Sequence, residues 1–208
     1  MGGRPRRRKA EEGSAPHVVV LAGPNGAGKS SSAPTLLRES LAVQEFVNAD
    51  TIAAGLSSFR AETVGLEAGR LMLRRLRELA SRRVDFAFEV TLASRTFAPW
   101  IRDLRKEGYR VSVVFLWLPS TTLAVQRVRA RVRMGGHDVP AGVVRRRYGR
   151  GLRNFLSLYR PLADHWRVLD NSRAGSPRLI AAGSRGKVEV VEDAERWQAI
   201  TKAGEAKP

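Results

Sequence analysis

The chain has 208 residues, contains no cysteine and carries a formal net charge of +17 at pH 7. Its length suits one domain with a buried core, and the lack of cysteine excludes disulfides and thiolate metal sites. No apolar run approaches the ~18 residues that a membrane helix needs. Residues 1–16 are basic and polar without the apolar core of a signal peptide. We therefore predict a cytoplasmic protein with a disordered basic tail over residues 1–16 and no membrane contact.

The positive charge suits nucleic-acid binding, because lysine and arginine side chains neutralise phosphates. The arginines are spread over nearly every predicted helix, however, and are not gathered with aromatic residues into a strip on which bases stack. We therefore expect contact with nucleic acid to be weak and sensitive to salt.

An apolar run at residues 17–22 predicts the first strand and leads into a phosphate-binding loop. The loop matches G-x-x-x-x-G-K-[ST] in full, with Gly23, Pro24, Asn25, Gly26, Ala27, Gly28, Lys29 and Ser30. Its backbone N–H groups and the helix that begins near Gly28 are expected to face phosphate oxygens. Lys29 is expected to reach the β- and γ-phosphates, the Ser30 hydroxyl to bind Mg²⁺, and Ser31 to complete the nucleotide site. The predicted nucleotide is ATP, with GTP as the second choice.

Asp50 follows a short second strand at residues 46–49 and precedes a helix. One interpretation makes it the N-cap of that helix. The other makes it a general base, because ligands of open α/β sheets bind beyond the carboxyl ends of the strands, and this strand is expected to neighbour the phosphate loop. A carboxylate there can accept the proton of an attacking hydroxyl. The spacing alone leaves both interpretations open.

The third predicted strand, residues 85–90, brings Glu89 and then Thr91 to the same edge. A carboxylate at the end of an apolar strand is costly without a partner. We therefore expect Glu89 to bind a substrate hydroxyl, an arginine or a magnesium-bound water, with a plain ion pair as the alternative. Arg95, at the start of the next predicted helix, is included in the predicted substrate site.

Two arginine-bearing helices follow the fourth strand, residues 109–118. Arg127 and Arg131 are four residues apart and share one helix face. The segment 134–140 contains two glycines and a proline, and the next helix carries three consecutive arginines at 145–147. We interpret residues 127–148 as a lid that closes over the transferring phosphate, and a solvated charged face is the alternative.

A fifth strand at residues 167–170 is followed by Asn171, which is expected near the adenine ring. Residues 178–191 predict a C-terminal β-hairpin, and a short helix near residues 194–200 precedes a frayed tail at 201–208. Alternating strands and helices predict an α/β, three-layer P-loop NTPase fold of the nucleotide-kinase type over residues 17–200. Its sheet is expected to have five mainly parallel strands, with the lid and the hairpin added.

Five motifs in this order resemble those of the zeta toxin family of P-loop kinases, and in particular its small, free-standing branch often labelled a predicted ABC-type ATPase. They are the phosphate loop 23–30, Asn48-Ala49-Asp50, Phe88-Glu89-Val90-Thr91, the segment 135–140 with 145–148, and Asp170-Asn171-Ser172. The ABC label does not fit, because the sequence has neither an LSGGQ-type signature nor an apolar strand that ends in Asp-Glu.

The resemblance implies a kinase that moves the γ-phosphate of ATP to a hydroxyl of UDP-N-acetylglucosamine, and in toxin systems a small antitoxin protein that blocks the ATP site. Asp50 matches the position of the catalytic base, and Glu89 and Thr91 fall where substrate is bound. The lid also resembles that of adenylate kinases, in which two arginines clamp the phosphates. The matching residues are Arg131 and Arg147, with Arg127 and Arg146 as second choices.

Three functions stay open at this point, and the first is the small-molecule kinase. The acceptor is UDP-N-acetylglucosamine or a related metabolite, since the segments that shape the sugar-nucleotide pocket of longer toxins are poorly represented here. A nucleic-acid-directed protein, such as a polynucleotide kinase or a basic ATP-dependent binder, is favoured by the charge. A module that binds ATP without transferring phosphate is the third.

Overall fold

The computed structural model describes residues 15–39, 41–56, 64–173 and 175–205. Its strands are β1 His17–Ala22, β2 Glu45–Val47, β3 Phe86–Val90, β4 Arg110–Trp117, β5 His165–Asp170, β6 Arg178–Ser184 and β7 Lys187–Val191. Its helices are α1 Lys29–Ala33, α2 Ala49–Leu56, α3 Gly65–Ser81, α4 Phe97–Lys106, α5 Thr121–Arg133, α6 Ala141–Asn154, α7 Arg160–Leu162 and α8 Ala194–Glu205. The order of strands and helices therefore follows the α/β prediction.

The seven strands form one sheet in the order β2-β3-β1-β4-β5-β6-β7. The first five are parallel, whereas β6 pairs antiparallel with β5 and β7 pairs antiparallel with β6. The predicted number of five strands is wrong, because the C-terminal hairpin hydrogen-bonds to β5 and extends the sheet. A hairpin is local, but which edge it joins depends on residues far away in sequence.

Helices cover both faces of the sheet. On one face, α3, α4 and α8 bury Leu76, Ile101 and Ile200 against the strands. On the other face, Ala33 of α1 and Val128 of α5 pack on the opposite sides of the same strands. Apolar side chains on both sides of the central strands β1, β3 and β4 require this three-layer arrangement.

Helix α6 changes from one face of the sheet to the other. Val144, near its start, packs in the cluster that contains α1 and α5, whereas Leu152 packs in the cluster that contains α3 and α4. Between them, the Tyr148 hydroxyl donates to the carbonyl of Leu118 at 2.5 Å, just after β4. The helix therefore crosses the carboxyl edge of the sheet, above the predicted site.

Pro34 ends the regular part of the first helix. Helix α1 stops at Ala33, and a π-helical segment, Pro34–Glu39, continues it. Proline lacks the N–H that an α-helical ladder needs at this position, so the hydrogen bonding shifts to the wider turn.

The boundaries at the two ends of the chain differ from the predicted ones. Of the predicted tail 1–16, residues 1–14 lie outside the described residues, and the carbonyl of Pro16 already accepts a hydrogen bond from Arg110 N at 2.8 Å. Helix α8 continues to Glu205, so the predicted frayed tail at 201–208 is helical as far as it is described. Among the described helices, none is long and apolar enough to cross a membrane.

Candidate active site

The phosphate loop adopts a conformation that its glycines alone allow. Gly23, Gly26 and Gly28 have positive φ angles of 140°, 79° and 77°, which are strained for other residues. A Cβ at Gly23 would lie 2.3 Å from the carbonyl oxygen of Leu116. The loop is therefore pressed against the end of β4, with no room for a side chain at that position.

Lys29 is folded back onto the loop. Its ammonium group donates to the carbonyls of Gly23 at 2.9 Å and Pro24 at 3.0 Å, and Nζ lies 3.6 Å from Glu89 Oε1. The side chain is only 5% exposed. Burial lowers the pKa of Lys29, while the nearby carboxylates of Glu89 and Asp50 oppose that shift. The structure thus places the predicted phosphate-binding cation at the loop, held by backbone oxygens.

Ser30, Glu89 and Asn48 form a hydrogen-bonded cluster beside Lys29. The Ser30 hydroxyl donates to Glu89 Oε2 at 2.7 Å. Asn48 Nδ2 donates to the same Glu89 oxygen at 2.8 Å and to Ser30 Oγ at 3.2 Å. Glu89 therefore contacts two residues of the phosphate loop in addition to lying at the predicted edge. Asn48 was quoted in a motif but given no role by the sequence analysis.

Asp50 lies in the first turn of α2, and β2 ends three residues earlier, at Val47. Its backbone N–H donates to Asn48 Oδ1 at 2.8 Å, so Asn48 is the cap of this helix and the N-cap interpretation of Asp50 is wrong. The strand before Asp50 was also expected to neighbour the phosphate loop, and this expectation is wrong, because β3 lies between β2 and β1. The Asp50 carboxylate is consequently free of capping, and 48% exposed.

Arg131 connects the lid to Asp50. Its Nη1 lies 4.0 Å from Asp50 Oδ2, and its Nη2 donates to the carbonyl of His137 at 2.7 Å. The Nε atom is buried and, within the described part of the chain, has no hydrogen-bond partner. The loop between α5 and α6 packs directly on this side chain, since a Cβ at Gly136 would lie 2.5 Å from Arg131 Cγ.

Arg127 has a different role from Arg131, although both were candidates for the phosphate clamp. It donates to the carbonyls of Asn171 at 2.6 Å and Ser172 at 2.8 Å. Asn171 in turn donates from Nδ2 to the carbonyl of Ala27 at 2.7 Å. The predicted adenine residue and Arg127 therefore join the loop after β5 to the phosphate loop.

Arg147 lies on α6, one residue before the Tyr148 contact with the end of β4. One turn later, a Cβ at Gly151 would lie 2.3 Å from the carbonyl oxygen of Thr91, just after β3. The Arg147 side chain is half-buried and its guanidinium has no hydrogen-bond or ion-pair partner among the described residues, whereas Arg146 is exposed.

The remaining predicted residues are less tightly engaged. Thr91 is half-buried and its hydroxyl accepts a long hydrogen bond of 3.4 Å from Ala93 N. The side chains of Arg95 and Ser31 are exposed and make no hydrogen bond to a described residue. Asn25 is 8% exposed, and its Oδ1 is buried without a partner among the described residues.

Oxygen donors at this edge fit Mg²⁺. The Ser30 hydroxyl and the Glu89 carboxylate lie together beside the phosphate loop, and Mg²⁺ is usually bound by one or two protein oxygens together with substrate phosphates. No group of three or more His, Cys, Asp and Glu side chains suited to a metal occurs in the described ranges. A shared protein–phosphate site therefore fits the residues better than a dedicated protein cage.

A model of the family described as Zeta toxin matches residues 4–173, which is most of the chain. The chain belongs to the Zeta toxin family. The resemblance drawn from the five motifs is thereby confirmed, and the fold is that of the P-loop kinases. The family match and this fold together make the chain a kinase-type P-loop protein.

A relative of known sequence and two of the solved structures are similar to this chain over most of its length. An uncharacterized protein of Haemophilus influenzae is 25% identical over 133 residues, which cover 63% of this chain and 91% of the relative. A crystal structure of AvrRxo1-ORF1:-ORF2 with ATP is similar with a TM-score of 0.71 and 19% identity, covering 95% of this chain and 67% of that one. The PezAT toxin–antitoxin structure of Streptococcus pneumoniae has a TM-score of 0.60 and 15% identity, covering 95% of this chain and 88% of that one.

Proposed function

We propose that this chain is an ATP-dependent kinase that transfers the γ-phosphate to a hydroxyl group of a small molecule, with UDP-N-acetylglucosamine or a related sugar nucleotide as the first acceptor to test. The observation that carries the proposal is the position of Asp50. Its carboxylate is free of the capping role, lies 4.0 Å from a lid arginine and stands at the edge that carries the phosphate loop. These features support the role of Asp50 as a general base for phosphoryl transfer.

The proposed reaction balances with these residues alone. The acceptor oxygen forms a bond to the γ-phosphorus and passes its proton to Asp50, while the bond between the γ-phosphorus and the bridging oxygen breaks and ADP leaves. Charge spreads over the three γ-phosphoryl oxygens in the transition state, so nearby cations stabilise it. Lys29, Arg131 and Arg147 supply that charge in our proposal, whereas Arg127 of α5 stays hydrogen-bonded to the loop after β5.

Mg²⁺, when bound with ATP, would neutralise phosphate charge, and Ser30 would hold it with Glu89 close by. Glu89, Thr91 and Arg95 line the side from which the acceptor approaches in this proposal. Asn171 and the loop residues 23–31 hold the nucleotide. ATP binding is supported by the structure of a similar fold solved with ATP.

We also propose that a small protein partner covers this edge, as an antitoxin would. The family match and the fold shared with the PezAT toxin–antitoxin structure support such a partner. The cytoplasmic location stays a prediction.

The test is ADP production from Mg²⁺-ATP with and without UDP-N-acetylglucosamine, followed by mass analysis of the sugar nucleotide. We expect one added phosphate with the wild type. Lys29→Ala should abolish nucleotide binding, whereas Asp50→Asn should keep ATP binding and lower transfer by about 10²–10⁴-fold. Asp103→Asn makes the same chemical change in an exposed surface ion pair of α4 and should leave transfer unchanged.

The outcomes test the acceptor and the role of Asp50 separately. If ATP binds and the sugar nucleotide stays unmodified, another small-molecule acceptor must be sought. If Asp50→Asn transfers phosphate as fast as the wild type, the role proposed for Asp50 is wrong.

The net charge of +17 favours one second candidate, an oligonucleotide 5′-hydroxyl as acceptor. The same assay with a 5′-hydroxyl oligonucleotide tests it. Phosphorylation that persists near physiological salt would favour this candidate, whereas binding that disappears as salt rises would leave only the nonspecific attraction expected from charge.

A further inference from the structure

Asn48 connects the parts of the candidate site that lie farthest apart in the sequence. It lies between β2 and α2 and is only 7% exposed. Its Oδ1 accepts a hydrogen bond from Asp50 N at 2.8 Å. Its Nδ2 donates to Glu89 Oε2 at 2.8 Å and to Ser30 Oγ at 3.2 Å. One buried amide thus contacts the backbone N–H of the proposed base Asp50, the proposed metal-binding hydroxyl of Ser30 and the carboxylate of Glu89.

The partners of Asn48 fix the orientation of its amide. A backbone N–H can only donate, so the atom that faces Asp50 N must be the oxygen. An ionised carboxylate can only accept, so the atom that faces Glu89 must be the nitrogen. The oxygen of the Asn48 amide thus accepts while its nitrogen donates to two neighbouring oxygens, a combination that neither Asp nor Ser can reproduce.

We infer that Asn48 is a positioning residue that sets Ser30 and Glu89 for Mg²⁺ while fixing the first turn of the helix that carries Asp50. The inference rests on the proposed function. Asn48 itself touches neither phosphate nor acceptor in this scheme. Its effect passes through Ser30 and Glu89 on one side and through the backbone of Asp50 on the other.

The geometry of the cluster explains why a second hydrogen-bond donor is needed there. The Ser30 hydroxyl donates its proton to Glu89, so the amide of Asn48 approaches it as a donor to the oxygen. The same amide also stabilises the Glu89 carboxylate, whose Oε1 atom lies 3.6 Å from Lys29 Nζ. Groups that orient a metal ligand in this way typically contribute 10–100-fold to metal affinity or activity.

Two substitutions separate capping from orientation. Asn48→Ser keeps an oxygen that can cap α2 but removes the Nδ2 group that donates to Glu89 and Ser30. Asn48→Asp also keeps a capping oxygen but places a second carboxylate against Glu89, where like charges repel. We expect both variants to fold, and the Asp variant to be the more impaired in Mg²⁺-dependent steps.

The experiment measures ATP affinity of the full chain with and without Mg²⁺, thermal unfolding without metal, and kcat and KM. For Asn48→Ser we expect metal-free ATP affinity within about 3-fold of the wild type and a loss of about 10-fold or more in the affinity gain that Mg²⁺ confers. kcat should fall by about 10–100-fold, and the Mg²⁺ concentration for half-maximal activity should rise.

A stability control distinguishes positioning from simple loosening of the fold. Tyr109→Phe removes a buried hydroxyl that donates to the carbonyl of Val84 at 3.1 Å, away from the carboxyl edge. It should lower thermal stability without changing the Mg²⁺ gain. If Asn48→Ser keeps the full wild-type Mg²⁺ gain, or if Tyr109→Phe loses as much of it, the inference is overturned.

These results remain distinct from the test of the proposed function. A wild type that shows the Mg²⁺ gain but phosphorylates no offered acceptor would overturn the acceptor proposal and leave the role of Asn48 standing. A wild type whose ATP affinity does not respond to Mg²⁺ would overturn the role of Asn48 as well.

Discussion

Arg147 is a half-buried cation close to the carboxyl edge of the sheet, with no protein partner among the described residues. Burying part of a charge without a counterion costs free energy, which a ligand phosphate would recover. Arg131, by contrast, already contacts His137 and Asp50. The two arginines predicted as a clamp therefore differ in how they are held before substrate binds.

Replacing Arg147 with alanine should lower kcat by about 10³-fold or more, because a well-placed arginine stabilises the phosphoryl transition state by that amount. ATP affinity should fall much less. Arg146→Ala is the matched control, since it removes the same charge from the exposed adjacent position. Steady-state kinetics of both variants check this prediction. Equal losses for the two would show that only the overall positive charge of α6 matters.

Helix α6 depends on one close contact to cross the sheet edge. Gly151 lies so near the carbonyl oxygen of Thr91 that a Cβ would approach it to 2.3 Å, a distance that backbone atoms cannot accommodate without moving. At Gly142, in the same helix, an added Cβ would meet no atom within 4 Å among the described residues, apart from its chain neighbours and the backbone of its own helix. A side chain is therefore excluded at Gly151 but has room at Gly142.

We predict that Gly151→Ala pushes α6 away from β3, lowers the free energy of unfolding by about 1–3 kcal/mol and weakens turnover through the displaced lid. Gly142→Ala should leave stability unchanged or raise it by up to about 1 kcal/mol, since alanine favours helix. Chemical denaturation and kcat measured on both variants decide. A Gly151→Ala protein as stable and active as the wild type would contradict the close approach.

At the level of the whole molecule, the edge of the sheet opposite the site contains a buried histidine. His17 is 6% exposed, and its Nε2 lies 2.8 Å from Ser112 Oγ, which joins β1 to β4. Burial, with a further contribution from Arg110, lowers the pKa of His17 to about 4 from its usual 6.5. The unfolded chain therefore binds a proton at this residue over a pH range in which the folded chain does not.

This difference makes stability depend on pH with a definite sign. The contribution of neutral His17 is complete above about pH 6.5 and declines as the pH falls toward 4, by up to about 3 kcal/mol in all. Denaturant unfolding between pH 7 and 4 measures it. His17→Gln, which can still reach Ser112, should be less stable at pH 7 but should lose less stability on acidification. Parallel losses in both proteins would show that His17 does not carry the effect.

The sequence by itself determined the features whose physics is local. The glycine spacing of the phosphate loop, the Ser120 cap of α5 with its 3.1 Å bond from Leu123 N, and the glycine and proline that separate the two lid helices each act within a few residues. Apolar residues on both sides of the central strands also require helices on both faces. The P-loop kinase fold follows from these patterns.

Only the tertiary structure decided which polar groups meet. Residues 30, 48 and 89 come together because three strands end at one edge, so no spacing rule relates Asn48 to Ser30 or Glu89. Arg127 and Arg131 share a helix face, yet Arg127 is hydrogen-bonded to the loop after β5, whereas Arg131 lies near Asp50. The hairpin joined β5 for the same reason: long-range pairing depends on which edges and partners the packed chain leaves available, and a local pattern contains no information about that.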